Sequence, residues 1–139
     1  QEMDALFAEA LGKSPIEILR GTDDFLAVFE TEQQIQTMNP DFTKLAKINS
    51  RGVVISAPGN DVDFVSRCFF PQTGVDEDPV TGSAHTMLIP YWAKQLDKIE
   101  FKAHQLSARG GVLDCKLIND RVLISGKSVI YFEGMISII

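Results

Sequence analysis

The segment 74–85, GVDEDPVTGSAH, combines the residue types that anion binding and proton transfer require. Three consecutive carboxylate residues end at Asp78, and Thr81, Gly82 and Ser83 follow at the predicted start of a helix. The unpaired N–H groups of a helix's first turn and the positive end of its dipole bind anions, and small residues let a ligand approach the backbone. The segment therefore predicts a site where a small anionic metabolite binds through Thr81, Gly82 and Ser83.

Asp78 is the candidate acid or base of this site, because a carboxyl group next to a bound ligand can give and take a proton. His85 is a candidate ligand contact, since a neutral imidazole both donates and accepts hydrogen bonds and can reach the ligand or Asp78. Other interpretations stay open. Asp78 and Thr81 can form an ordinary turn and helix cap, His85 can be a structural residue of the helix start, and Arg109 can face the ligand or solvent.

The elements that must position this site follow from the periodicity of apolar residues. Apolar residues at three- and four-residue spacing predict a helix over residues 3–11, and cap patterns predict short helices after Thr31 and Asp41. The helix predicted over 82–96 has apolar residues on more than one face. We therefore expect it to be buried nearly all round, and to be kinked or cut short at Pro90.

Runs of β-branched and aromatic residues, bounded by turn residues, predict the strands of a sheet. These runs lie at 16–19, 25–29, 53–57, 64–70, 99–106, 112–118, 122–125 and 129–139. The order of helices and strands indicates an α+β fold, in which a strongly curved, barrel-like and largely antiparallel sheet surrounds one central helix.

The composition excludes several classes of protein. With 139 residues, the chain has the length of about one domain, and its net charge of −6 is opposite to the balance that nucleic-acid binding favours. Cys68 and Cys115 have no second cysteine or histidine at ligand spacing, so we expect neither a metal site nor a disulfide. We expect both cysteines to be reduced core thiols of a cytoplasmic protein, and no apolar run reaches the roughly 18 residues of a membrane span. The chain starts at Gln1 and not at Met, which suggests a cut piece or a processed product.

Residues 76–85, DEDPVTGSAH, closely resemble the E-D-P-x-T-G-S-A-H signature of the phenazine biosynthesis-like (PhzF-type) family. That family is related in fold to diaminopimelate epimerase and proline racemase. The segments 105–113, QLSARGGVL, and 125–129, SGKSV, also resemble the family in order and spacing. The resemblance covers the chain from about residue 50 to about residue 130.

The resemblance implies half of a two-domain fold, in which two barrel-like halves related by a pseudo-twofold axis enclose an active site. Residues 1–139 would be one domain, the C-terminal half, with the N-terminal half absent. The implied chemistry is proton transfer without a cofactor or a metal, with Asp78 as the catalytic aspartate and Ser83 as the active-site serine. The family's principal glutamate belongs to the absent half, so this half alone is expected to be inactive. The final strand would return to that half, leaving residues 136–139 as an exposed edge.

Two functions remain possible at this point. The first is an isomerase or epimerase half that moves a proton on a small carboxylate-bearing metabolite. The racemase branch of the superfamily uses a cysteine pair at its helix starts, and Cys68 lies ten residues before Asp78, so a carboxylate mechanism is favoured over a thiol mechanism. The second is a non-catalytic ligand-binding or dimerising module that keeps the fold. The expected partners are the small anionic metabolite and either the absent half or a second copy in a homodimer.

Overall fold

The computed structural model describes residues 2–138 and contains four α-helices and eight strands within them. The helices are α1 (Glu2–Leu11), α2 (Glu32–Gln36), α3 (Phe42–Leu45) and α4 (Gly82–Leu96), and a 3₁₀ turn spans Pro71–Thr73. The strands are β1 (Glu17–Arg20), β2 (Asp24–Val28), β3 (Gly52–Pro58), β4 (Phe64–Phe70), β5 (Val75–Asp78), β6 (Glu100–Gln105), β7 (Gly111–Ile118) and β8 (Arg121–Ser125).

The strands form one mixed sheet in the order β1-β2-β3-β4-β6-β7-β8, with β5 paired to the second half of β4. The β2–β3 and β4–β6 pairs are parallel, and the other five pairs are antiparallel. The predicted α+β class and the largely antiparallel sheet are confirmed. Within residues 2–138 the sheet does not close on itself, so the expected barrel is not formed.

Helices cover both faces of the sheet, which corrects the expectation of one central helix. Side chains alternate along β2, so that Phe25 and Ala27 contact one apolar core, whereas Leu26 and Val28 contact another. The first core lies under α1, α2 and α3, and the second lies under α4. Each fully buried large apolar side chain contributes about 1.5–3 kcal/mol. Burial on both faces therefore fixes the register of β2.

Helix α4 has one buried and one exposed side, so the prediction that it is buried nearly all round is wrong. Its buried apolar residues include Trp92, whose indole Nε1 donates a hydrogen bond to Ser56 Oγ at 3.0 Å. Pro90 lies on the exposed side with Thr86, and the helix continues through it to Leu96. The carbonyl of Thr86, which loses its intrahelical donor at Pro90, can be solvated there, so the helix does not end early.

The end of the chain differs most from expectation. Residues 126–138 form no strand, so the predicted strand at 129–139 is wrong for 129–138, and Ile139 lies outside the described residues. The large apolar side chains of this segment are more than 80% exposed. They belong to Val129, Ile130, Tyr131, Phe132, Met135, Ile136 and Ile138. A strand needs a neighbouring ladder for its backbone groups, and no described strand pairs with this segment. The expected return of residues 136–139 to an absent half stays a prediction.

Candidate functional site

The site lies between the ends of two strands, β5 and β6, that pair with the same edge of β4. Strand β6 pairs with the first half of β4, which places Gln105 opposite Ser66. Strand β5 pairs with the second half, which places Asp78 opposite Cys68. The ends of β5 and β6 therefore meet at the middle of β4, and Thr81, three residues after Asp78, is the N-cap residue of α4 at the same point.

Asp78, Thr81 and Gln105 form one hydrogen-bonded unit. The Thr81 hydroxyl donates to the Asp78 carboxylate, and the Thr81 backbone N–H donates to Gln105 Oε1 at 2.8 Å. Gln105 Nε2 donates to the Asp78 carbonyl at 2.9 Å and to Thr81 Oγ1 at 3.0 Å. Gln105 is only 1% exposed, so its amide connects β5, β6 and α4 from inside the protein. Because Gln105 donates to the Thr81 oxygen, the threonine hydrogen is left for Asp78.

The side chain of the N-cap residue does not bind the backbone amides of the first turn of α4. Thr81 has the extended backbone of an N-cap residue, with φ −119° and ψ 102°, but its side chain makes no cap hydrogen bond. The following residues, Gly82 and Ser83, are exposed. Their backbone N–H groups are among the four that an α-helix cannot pair internally, so they can bind an anion next to Asp78. An ordinary threonine cap would have occupied one of these amides.

The Ser83 hydroxyl accepts a hydrogen bond from an arginine that directly precedes β3. Arg51 Nη2 donates to Ser83 Oγ at 3.3 Å. The same guanidinium binds both carboxylate oxygens of Asp24, with Nε to Oδ1 at 2.9 Å, and Asp24 is 5% exposed. Ser83 thus points to a cation whose position is fixed by a buried carboxylate.

His85 lies beneath the helix start and not on its open surface. It is fully buried, and its Nδ1 is 2.8 Å from the carbonyl oxygen of Thr81, so Nδ1 carries the hydrogen and donates. Its Nε2 has no hydrogen-bond partner among residues 2–138. Burial lowers the pKa of His85, because removal from water disfavours the charged ring. In this position the ring anchors the Thr81 carbonyl, and no described hydrogen bond joins it to Asp78.

The loop after β6 closes over the Asp78 segment. Ser107 Oγ donates to the Pro79 carbonyl at 2.7 Å and accepts from the Gly110 N–H at 2.9 Å. Gly111 packs so closely on Val80 that a Cβ at this position would lie 2.2 Å from Val80 Cγ2. A side chain at residue 111 would therefore displace Val80 from the site.

A cavity of about 820 Å³ opens between this loop and the helix start. Its lining includes Gly82, Arg109 and Lys127 together with part of β7. Arg109 is exposed. The cavity is large enough for a small metabolite beside Gly82.

Comparison with known proteins identifies the family of this chain. A family model described as phenazine biosynthesis-like protein matches residues 1–134. The chain belongs to this family. It is 50% identical over 128 residues to an uncharacterized isomerase of Pseudomonas aeruginosa, covering 92% of this chain and 49% of the relative. It is 46% identical over 123 residues to an uncharacterized isomerase of Halalkalibacterium halodurans, covering 87% and 46% of the two chains.

A solved structure of a phenazine biosynthesis protein of the PhzF family from Enterococcus faecalis has the same fold. It superposes with a TM-score of 0.88 at 41% identity, over 91% of this chain and 49% of that chain. This chain thus spans about half the length of the phenazine biosynthesis-like proteins it matches.

In this member of the phenazine biosynthesis-like family, the carboxylate before Asp78 has a structural partner. Arg67 binds both oxygens of Glu77, with Nε to Oε1 at 2.7 Å and Nη2 to Oε2 at 2.9 Å. Arg67 Nη1 also donates to the carbonyls of Ile35 and Met38. Glu77 is therefore only partly exposed, and the ion pair fixes β5 on β4 directly before Asp78.

The cysteines lie outside the open part of the site. Cys68 is fully buried opposite Asp78, and burial raises the pKa of its thiol to about 12. Cys115 is also buried and its pKa is raised to about 11. A thiolate is the reactive form of cysteine, so both thiols are poorly suited to proton transfer at neutral pH.

The described residues contain neither a candidate metal site nor a helix that could span a membrane. Between residues 2 and 138, no group of three or more His, Cys, Asp or Glu side chains is arranged to hold a metal ion. None of the helices in that range has the length and apolar character that crossing a membrane requires.

Sequence reasoning missed Gln105, Arg51 and Asp24 as parts of the site. Gln105 lies 24 residues from Thr81, and Arg51 lies 32 residues from Ser83, so local patterns carry no signal of these contacts. The one available signal for Gln105 was its place at the start of the QLSARGGVL segment that resembles the family.

Proposed function

We propose that this chain is the C-terminal half of an isomerase that moves a proton on a small carboxylate-bearing metabolite. Asp78 transfers the proton, and the amides of Gly82 and Ser83 hold the carboxylate of the ligand. Thr81 fixes the Asp78 carboxylate through its hydroxyl. His85 supports the same turn from below through the Thr81 carbonyl.

The open start of α4 beside Asp78 is the observation that supports this proposal most directly. A ligand carboxylate bound to the first-turn amides is stabilised by the helix dipole. The carbon next to that carboxylate then lies close to Asp78, and the negative charge that develops when this carbon loses its proton is spread onto a group the amides already hold. The names of the P. aeruginosa and H. halodurans relatives, both isomerases, agree with this chemistry.

The proposed reaction needs a second acid or base on the other side of the ligand. Asp78 reaches a bound metabolite from one side only, so moving a proton to a new position or face requires a partner group. In the proposed two-domain protein a glutamate of the N-terminal half provides it. We therefore expect no turnover by residues 1–139 alone. Neither a metal nor a cofactor enters this scheme.

A deuterium wash-in assay tests the proposal. A full-length protein that contains this chain is incubated in ²H₂O with a panel of small carboxylic acids, and label uptake is followed by mass spectrometry. We expect uptake by the wild-type protein and a loss of at least a hundredfold in D78N, in line with the typical contribution of general acid–base catalysis. D76N is the matched control, because Asp76 is an exposed carboxylate two residues away. No uptake from any acid, or equal uptake by D78N and wild type, would contradict the proposal.

The exposed apolar end of the chain favours a second candidate function. Seven large apolar side chains between residues 129 and 138 are more than 80% exposed, which is typical of a surface that another chain covers. In this alternative the protein is a non-catalytic module that binds a carboxylate ligand and dimerises. Sedimentation equilibrium with and without acetate tests it. A homodimer is expected, and a monomer at all concentrations that shows no response to acetate would contradict it.

A further inference from the structure

Arg51 is held in place more firmly than an exposed arginine usually is. Its guanidinium binds both oxygens of the buried Asp24, and its backbone N–H donates to the Asp23 carbonyl at 2.8 Å. The guanidinium carbon also lies 5.6 Å from the centre of the Phe70 ring. A bidentate carboxylate fixes the plane of a guanidinium, so the direction of its remaining N–H groups is set before any ligand arrives.

One of these N–H groups points at Ser83. The 3.3 Å contact from Arg51 Nη2 uses a lone pair of Ser83 Oγ, because a guanidinium can only donate. The hydroxyl hydrogen of Ser83 is then free to point away from the arginine. The nearby Ser83 carbonyl is already an acceptor for the Thr86 hydroxyl at 2.6 Å. Since Ser83 is exposed, its hydrogen is available to a ligand at the helix start.

We infer that Arg51 is a positioning residue, which turns the Ser83 hydroxyl into a hydrogen-bond donor for a carboxylate bound at the start of α4. The inference rests on the proposed function, since it concerns the same anion site. Asp24 balances the charge of Arg51, so the main contribution of the pair is the direction of a hydrogen bond. The site then selects ligand groups that accept hydrogen bonds, such as a carboxylate, over groups that donate.

A double-mutant cycle with acetate as the probe tests this inference. Acetate is titrated into the ¹⁵N-labelled 139-residue chain at constant ionic strength, and the amide shifts of Gly82 and Ser83 report binding. We expect saturable binding by wild type and a loss of about tenfold in affinity for both R51Q and S83A, as for one charge-assisted hydrogen bond. The double variant should bind no more weakly than S83A, because both changes remove the same hydrogen bond.

Two further variants separate orientation from charge. R51K keeps the positive charge but cannot hold Asp24 and Ser83 with one planar group, so we expect it to bind as weakly as R51Q. K47Q removes one positive charge from an exposed residue on another part of the surface and should bind acetate like wild type. Amide shifts of β6 and β7 that match the wild type show that each variant is folded.

The outcomes distinguish this inference from the proposed function. Wild-type amides that do not respond to acetate overturn the anion site, and this inference with it. Saturable wild-type binding with additive losses in R51Q and S83A, or with R51K equal to wild type, overturns the inference alone. In that case Arg51 acts through its charge or has no part in binding.

Discussion

Replacing Gln105 with methionine removes three hydrogen bonds from the centre of the site while keeping a side chain of similar length. The backbone N–H of Thr81 loses its acceptor, and the Asp78 carbonyl and Thr81 Oγ1 each lose a donor. Thr81 is 7% exposed, so water cannot readily replace these partners. The exposed Gln95 on α4 offers a matched Gln→Met control.

The expected loss follows from the burial of each group. A buried polar group left without a partner costs about 1–3 kcal/mol. The loss of the acceptor of the Thr81 N–H should cost the most free energy. The Thr81 hydroxyl keeps its hydrogen bond to Asp78, and the half-buried Asp78 carbonyl can be partly solvated. We therefore expect Q105M to lower the free energy of unfolding by about 3 kcal/mol, and Q95M to change it by less than about 0.5 kcal/mol.

Urea unfolding measures both values, with the fluorescence of the single, buried Trp92 as the probe. The amide resonance of Thr81 should also move in Q105M, because its hydrogen bond to Oε1 is lost. An unfolding free energy for Q105M within about 0.5 kcal/mol of the wild type would refute the claim that this amide holds the site together.

Three further predictions concern groups around the site. E77Q leaves the guanidinium of Arg67 without its carboxylate partner in a partly buried position. Urea unfolding should therefore show that E77Q lowers the free energy of unfolding by about 2 kcal/mol. A change below about 0.5 kcal/mol would contradict the structural role of the pair. Burial lowers the folded-state pKa of His85, so the unfolded chain binds its proton more readily, and this residue's contribution to stability is lost as pH falls below about 6.5. Wild type should therefore lose unfolding free energy more steeply than H85N between about pH 6.5 and 5, by at most about 1.4 kcal/mol per pH unit. Parallel curves of unfolding free energy against pH for the two proteins would contradict this prediction. Burial raises the thiol pKa of Cys68 to about 12 and that of Cys115 to about 11. An aromatic disulfide reagent should therefore label these cysteines only after the protein is unfolded in urea. Rapid labelling of the native protein would contradict the burial of the two thiols.

Local sequence signals predicted the elements well where either a cap pattern or apolar periodicity was present. Helix α4 has the predicted bounds, and the short helix predicted after Thr31 begins with a capping box that Thr31 forms with Gln34. The short strand β5 was missed because its three consecutive carboxylates are typical of a loop. It forms because β4 offers a free edge and Arg67 neutralises Glu77, and neither fact can be deduced from residues 75–78 alone.

The two largest differences between the sequence-based predictions and the structure have the same physical origin. The segment 129–138 has the composition of a strand, but composition cannot say whether a neighbouring strand exists within the chain. The site shows the same limit. The motif predicted Asp78 and the open helix start, whereas Gln105 and Arg51 reach the site only because the sheet brings distant segments together.

A crystal structure of the full-length protein with a small bound carboxylic acid would show whether the first-turn amides of α4 hold a carboxylate beside Asp78. We expect an oxygen of the ligand carboxylate to lie about 2.7–3.2 Å from the backbone nitrogens of Gly82 and Ser83. The carbon next to that carboxylate should face Asp78. A ligand bound elsewhere, with these two amides covered by protein groups and Asp78 turned to solvent, would contradict the proposed carboxylate site.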